Sequence, residues 1–208
     1  MDRLATGIPV LDRVLDGGLP PGSVVVLKAD AASQSELFIN TFCGVRETQY
    51  VTTVRSTTTV ERGIERSDAV DTESVTVHAA HDEEAIERTA AVVSELDTES
   101  TLIVDSVEPL ERTDAETYRR FIDDLMTRVI DAEAIAILHA VRSEHDPENR
   151  VLTEQMADLV FDLRSRVTGT DVEHRLIVPK FRGGVIPEKP LKLKLGESVT
   201  VDTSRDIA

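Results

Sequence analysis

Residues 4–35 read LATGIPVLDRVLDGGLPPGSVVVLKADAASQS, and this stretch decides the fold. Its centre, SVVVLKA at residues 23–29, is an apolar run rich in valine with no polar alternation. That is the pattern of a strand buried on both faces. Gly17, Gly18, Pro20, Pro21 and Gly22 punctuate the chain just before it. Behind it, SQSELFINTFCGVRE at residues 33–47 predicts a helix with Leu37, Thr41, Phe42 and Val45 on one face. A buried strand that runs straight into a helix is the opening unit of an α/β sheet, and such sheets bind ligands at the carboxyl ends of their strands.

The same alternation continues outward. Further strands are predicted at 50–54, 74–79, 101–105 (TLIVD) and 134–141 (AIAILHAV). Helices are predicted at 59–67, at 82–96 with Asp82 as N-cap, and at 114–131 with Phe121, Ile122, Leu125 and Val129 inward. From residue 158 the pattern changes. Residues 158–167, 172–182 and 191–201 alternate apolar with polar and are separated by turn residues at 168–171 and 183–190. The expected fold is α/β: a mainly parallel central sheet with helices on both faces and an antiparallel C-terminal β extension. We read one domain over residues 1–208, with an α/β core at 1–157 and the β-rich extension at 158–208.

Composition narrows the function. The chain has 208 residues, 40 % of them apolar, and a formal net charge of −16. Only five of its 23 basic residues are lysines, and four of those lie after residue 178. This balance resembles that of a cytoplasmic protein of a salt-loving archaeon. Non-specific nucleic-acid binding needs a basic face, and the acidic chain argues against it. No apolar run approaches the ~20 residues of a membrane span, and the opening MDRLATGIPVLD has no apolar signal region, so a cytoplasmic location is expected. A single cysteine, Cys43, excludes a disulfide framework and reads as an inert buried thiol. At −16 the chain repels itself, and that repulsion shortens in range from ~10 Å at 0.1 M salt to ~3 Å at molar salt. The thermal midpoint is therefore expected to rise along a salt series; a flat or falling midpoint would overturn the salt-adapted reading.

The opening stretch resembles the start of the RecA superfamily, in particular its KaiC-like branch. Thr6, Gly7, Leu11, Asp12, Gly17, Gly18 and Gly22 fit that branch's Thr-Gly-x-x-x-Leu-Asp and Gly-Gly-x-x-x-Gly segments. TLIVDS, ending in Asp105 and Ser106, is similar to its Walker B strand, and LIVPKFRGG carries Lys180 and Arg182 at its Lys-x-Arg positions. The resemblance implies a RecA-like P-loop NTPase fold, with ATP and magnesium at the loop after the first strand.

That loop departs from the family. KADAASQS lies over GxxxxGK[ST], so Lys28 and Ser33 replace glycines, Gln34 replaces the lysine, and Ser35 alone keeps its type. A phosphate loop uses glycines for close backbone approach, the lysine for charge and the Ser or Thr for magnesium. Asp30 adds a negative charge inside the presumed nest. Lys28, Ala32, Ser33, Gln34, Ser35 and Asp105 are thus candidate remnants of a nucleotide site, with Ser35 and Asp105 the magnesium positions if MgATP binds. The second strand ends in Thr53-Val54-Arg55, where the family usually places a carboxylate, and Glu61 lies too far on to replace it. Hydrolysis then lacks a general base.

The favoured expectation is a degenerate, non-hydrolysing family member: a regulatory or scaffold protein with no cofactor, acting through a protein partner or self-association. A divergent ATP-binding protein or ATPase, and a DNA repair or recombination accessory, are the alternatives. Lys180 and Arg182 are candidates for contact with a neighbouring subunit or a partner. Equally, they are an exposed basic pair on an edge strand. Asp105 has a second reading as a strand-end carboxylate that caps a loop. His78 and His81 have metal-like spacing without a third ligand fixed by sequence, so no metal site is expected. His139 reads as a packed strand-end histidine, and residues 144–148 as a polar loop.

Overall fold

The computed structural model describes residues 2–67, 70–168, 171–196 and 199–201. Its strands are β1 (Ser23–Asp30), β2 (Thr48–Thr52), β3 (Val75–Ala79), β4 (Thr101–Asp105), β5 (Ile135–Arg142), β6 (Leu159–Thr168), β7 (Asp171–Phe181), β8 (Leu191–Leu195) and β9 (Val199–Val201). They form one sheet in the order β3-β2-β4-β5-β1-β6-β7-β8-β9. Pairing is parallel from β3 through β6 and antiparallel from β6 onward. The α/β expectation therefore holds, with one refinement: β6 belongs to both parts, parallel to β1 on one side and antiparallel to β7 on the other.

The helices are α1 (Pro9–Val14), α2 (Ser35–Cys43), α3 (Thr57–Glu65), α4 (Ala85–Ser94), α5 (Glu108–Glu111), α6 (Ala115–Asp131) and α7 (Arg150–Met156). Strand side chains alternate between faces, and β1 shows how the layers divide. Val25, Leu27 and Ala29 pack with Leu11 of α1, Phe38 and Phe42 of α2, and Val60 and Ile64 of α3. Val24 and Val26 pack with Ile86 of α4, Leu110 of α5, Ile122 and Leu125 of α6, and Leu152 of α7. Both faces of the central strand are dry, which is why its sequence runs apolar without alternation.

The glycines of the opening stretch have steric reasons. Gly7 and Gly18 have φ of 86° and 126°. A Cβ at Gly7 would lie 2.3 Å from the carbonyl oxygen of Thr41 in α2, and one at Gly18 would lie 2.3 Å from that of Leu4. Only glycine permits both the positive φ and this approach. Between them, Asp12 accepts from the Thr6 amide (2.8 Å), while Leu4 and Leu19 exchange two backbone bonds of 2.8 Å.

Several boundaries differ from expectation. α2 is shorter than residues 33–47, and its inner face is Phe38, Ile39, Phe42 and Cys43, with Leu37 and Val45 only half-buried. Asp82 is not an N-cap: it has φ of 63° and opens a 3-10 turn at Asp82–Glu84, so α4 starts at Ala85 behind Glu84. Asp114 does cap α6, accepting from the amides of Glu116 and Thr117 (3.1 and 3.0 Å). The strand expected over 191–201 is two, β8 and β9, with residues 197–198 between them outside the described set; residues 169–170 of the expected turn also lie outside it. α1, α5 and α7 were not foreseen.

Candidate functional site

The carboxyl ends of β2, β4 and β5 bring four polar side chains together. Asp105 ends β4, Thr52 pairs with it across the β2–β4 register, and His139 pairs with it across β4–β5. Asp105 is 7 % exposed. Its Oδ2 accepts from the Tyr50 hydroxyl (2.6 Å) and from Arg55 Nη2 (2.5 Å), and its Oδ1 accepts from His139 Nδ1 (2.6 Å). Arg55 Nη2 also donates to the Tyr50 oxygen (3.0 Å). The backbone is held alongside: Thr53 Oγ1 donates to the Ser106 carbonyl (2.7 Å) and accepts from the Ser106 amide (2.9 Å).

The electrostatics follow from this geometry. Burial alone would raise the Asp105 carboxyl. The His139 hydrogen bond and charge, the Arg55 charge and the Tyr50 hydroxyl outweigh burial and hold it well below the usual carboxylate range. Burial and then the Asp105 charge push the Tyr50 hydroxyl well above its ordinary value. Asp105 is therefore a carboxylate whose neighbouring cation is a side chain of the same domain. His139 Nε2 is buried and has no partner among the described residues.

The loop after β1 is a compact turn. β1 runs on to Asp30, with Lys28, Ala29 and Asp30 paired to Ala140, Val141 and Arg142 of β5. The Ser33 amide and hydroxyl both donate to the Asp30 carbonyl (2.9 and 2.6 Å). Only residues 31–34 separate β1 from α2. Lys28 sits on the face of the sheet that carries α7, where its ammonium pairs with Glu154 at 2.8 Å. The Asp30 carboxylate accepts from Arg142 Nη1 (2.9 Å). Ala32 and Gln34 are exposed and border a groove of about 840 Å³, whose far wall includes Ser165, His174, Lys192 and Lys194. Ser35 is buried as the first residue of α2.

Lys180 and Arg182 face the end of α7. Lys180 Nζ donates to the carbonyls of Glu154 and Gln155, both at 2.8 Å. Arg182 donates to Gln155 (2.6 Å) and Met156 (3.0 Å). The last carbonyls of a helix lack intrahelical partners and carry partial negative charge, and basic side chains satisfy both needs.

The description of one sequence family, a family of unknown function designated DUF7125, matches residues 3–208. The chain belongs to DUF7125. No curated protein matches it by sequence. Among solved structures it is similar to a KaiC-like protein of the hyperthermophilic archaeon Pyrococcus horikoshii, with a TM-score of 0.78 and 17 % identity over 96 % of this chain and 98 % of that one. That likeness shows the fold: this DUF7125 chain has a KaiC-like, RecA-type architecture.

Within that architecture the structure brings Asp105 together with Tyr50, Arg55 and His139, and holds Lys28, Lys180 and Arg182 around α7, away from the loop. Sequence reading missed Tyr50 and the Arg55 ion pair. A signal existed, since Tyr50 lies in the second strand, which pairs with the one ending in Asp105, and Arg55 lies just beyond its end. Cys43 is fully buried, which pushes its thiol up to about 12. His78 Nε2 lies 2.7 Å from Gln49 Oε1, and His81 Nε2 lies 3.0 Å from the Arg55 carbonyl oxygen. Among the described residues no three His, Cys, Asp or Glu side chains are grouped to hold a metal ion. No helix of the described residues is long and apolar enough to cross a membrane.

Proposed function

We propose that this DUF7125 chain is a non-hydrolysing KaiC-type domain that acts by binding, as a regulatory or scaffold protein whose partner is another protein or a second copy. The observation that carries this reading is the Arg55–Asp105 ion pair at 2.5 Å. Magnesium needs hard oxygen ligands, directly or through its waters. Here the oxygens at the magnesium position accept from Tyr50, Arg55 and His139. Just beyond the end of β2, where a base to activate water would be sought, the charged residue Arg55 is a cation.

The loop supports the same reading. A phosphate nest needs a wide loop with free amides, whereas Ser33 closes this one onto Asp30, and Lys28 turns away from it to pair with Glu154. The residues present do not fit MgATP. One observation favours the alternative of retained nucleotide binding, namely the groove beside Ala32 and Gln34 with lysines on its far wall. Nucleic acid is not among the proposed partners, because the net charge is −16 and the Lys180–Arg182 pair is spent on α7.

Phosphate release from MgATP, measured at multimolar potassium chloride, is expected to equal a protein-free blank. Turnover above the blank that Asp105→Asn abolishes would overturn the proposal. Calorimetry on the same samples separates the alternative: a saturable heat with MgATP and no turnover would mean that a nucleotide is the bound input.

A further inference from the structure

The cations of this chain gather in one part of the fold. Residues 158–208 hold nine basic and eight acidic residues, while residues 1–157 hold fourteen and thirty-one. Within the extension they share a face. Leu163 and Leu176 point into the core shared with α2, so Arg164 and Arg175 point the other way, toward the face that carries α7. There, at the carboxyl ends of β1 and β5, a basin of about 680 Å³ is bordered by Asp30, Arg142, Arg164, Arg166, Glu173 and Arg175.

Two observations mark this basin as a binding surface. The first is a row of like charges. Arg164 lies directly opposite Arg175, and Arg175 directly opposite Lys192, across three neighbouring strands. Like charges placed opposite one another destabilise a sheet, so the row is not there for the fold. The second is a surplus of cations. Asp162 is held by Arg142 and Arg164 together, Glu173 by Arg175 (3.0 Å) and Lys192 (3.3 Å), and Arg142 also reaches Asp30 at 2.9 Å. Those three carboxylates face five cations, counting Arg166, which has no partner among the described residues. Arg164 and Arg175 stay 63 % and 49 % exposed.

The spacing of the row selects the occupant. Adjacent strands lie about 4.8 Å apart, so cations recur at that interval. Carboxylates four residues apart on a helix lie about 5–6 Å from one another, whereas same-face residues of a strand lie about 7 Å apart. Arginine suits carboxylates because its fork of N–H donors meets both oxygens at once. Among the described residues no aromatic ring lines the basin to stack a base, and its carboxylates interrupt the cations that a phosphate backbone would need. A second copy does not fit either. Glu84, Glu108 and Glu116 each pair with the arginine four residues on, and no described helix carries three carboxylates in line at that spacing.

We propose that this basin receives the carboxylate stripe of an acidic helix on another protein. The inference rests on the proposed binding role and names the chemistry of its partner. The test is fluorescence anisotropy of a labelled, capped, alanine-rich peptide with glutamate at every fourth position, titrated with the full chain at one fixed salt at which circular dichroism shows it folded. Saturable binding is expected, with none by the glutamine version of the peptide. Arg164→Glu with Arg175→Glu should weaken binding at least tenfold. Arg88→Glu with Arg120→Glu makes the same change of net charge on α4 and α6 and should leave binding unchanged. Arg166→Glu removes a side chain that holds nothing in the fold, and should weaken binding severalfold even if the double basin variant fails to fold. No binding up to several hundred micromolar chain, equal binding of the glutamine peptide, or equal losses from the two double reversals overturns the proposal. So does tighter binding of a single-stranded oligonucleotide of equal charge, or self-association of the natural chain that the basin reversal abolishes. None of these outcomes bears on phosphate release, so failure here is distinct from failure of the non-hydrolysing reading.

Discussion

Glu111→Ala is expected to be the most damaging single substitution in the chain, lowering stability by about 3–5 kcal/mol. Glu111 and Arg150 form an ion pair at 2.8 Å whose side chains are 0 % and 3 % exposed. Arg150 Nε reaches both carboxylate oxygens (2.9 Å each), Thr153 donates to Oε1 (2.6 Å), and the Tyr118 hydroxyl lies 2.7 Å from Thr153 Oγ1. The network ties α5, α6 and α7 together on one face of the sheet. Removing the carboxylate leaves a guanidinium buried without its counter-charge, and a cavity beside it. For a domain of this length each kcal/mol shifts the melting midpoint by roughly 2–4 °C, so the variant should melt roughly 6–20 °C below the natural chain. Replacing both partners with leucine should cost far less, because no buried charge is then stranded. A double variant as unstable as Glu111→Ala would show that packing, and not charge, holds this layer.

Asp105→Asn is the second large effect, and its signature is in pH. The folded Asp105 carboxyl titrates well below its usual value, while in the unfolded chain it titrates near ~3.9. The folded state therefore binds this proton less readily than the unfolded state. The stabilisation is complete above the unfolded value and drains away as pH falls through it toward the folded value. At neutral pH Asp105→Asn should cost about 2–4 kcal/mol, because Arg55 loses its counter-ion and the His139 and Tyr50 donors lose a charged acceptor. Below about pH 4 the difference between variant and natural chain should narrow. Denaturant midpoints at a series of pH values provide the check. A constant difference from pH 7 to pH 3 would mean that Asp105 is not ionised against Arg55 and His139.

The parts of this molecule that were legible in the sequence are those whose physics is local. SVVVLKA and TLIVD are buried on both sides, and they read as strands because nothing polar interrupts them. α6 read correctly, with Phe121, Ile122, Leu125 and Val129 inward, because its apolar stripe keeps the helical period. α7 was invisible for the opposite reason. Its buried residues are Arg150 and Thr153, while Val151 is 64 % exposed, so the usual amphipathic pattern is inverted around the buried ion pair. The role of Lys180 and Arg182 was hidden with it, since their acceptors are the carbonyls of a helix that had not been foreseen. Asp105 was found by motif. Its partners Tyr50 and Arg55 were not, because only the parallel register of β2 against β4 brings residues so far apart in the chain to one carboxylate.

The position of β1 in the sheet has a consequence for how the chain is made. β1 carries an unbroken Val-Val-Val-Leu run, and both its neighbours come late: its partners are residues 135–142 on one side and 159–162 on the other. At a synthesis rate of about 5–20 residues per second, the Val-Val-Val-Leu run emerges from the ribosome roughly ten seconds before both its edges can be covered. During that interval it is a sticky, unpaired segment flanked by an incomplete core. The carboxylates that crowd the surrounding sequence then act as a solubilising coat on the nascent chain, and the charge that burdens the finished fold protects the unfinished one.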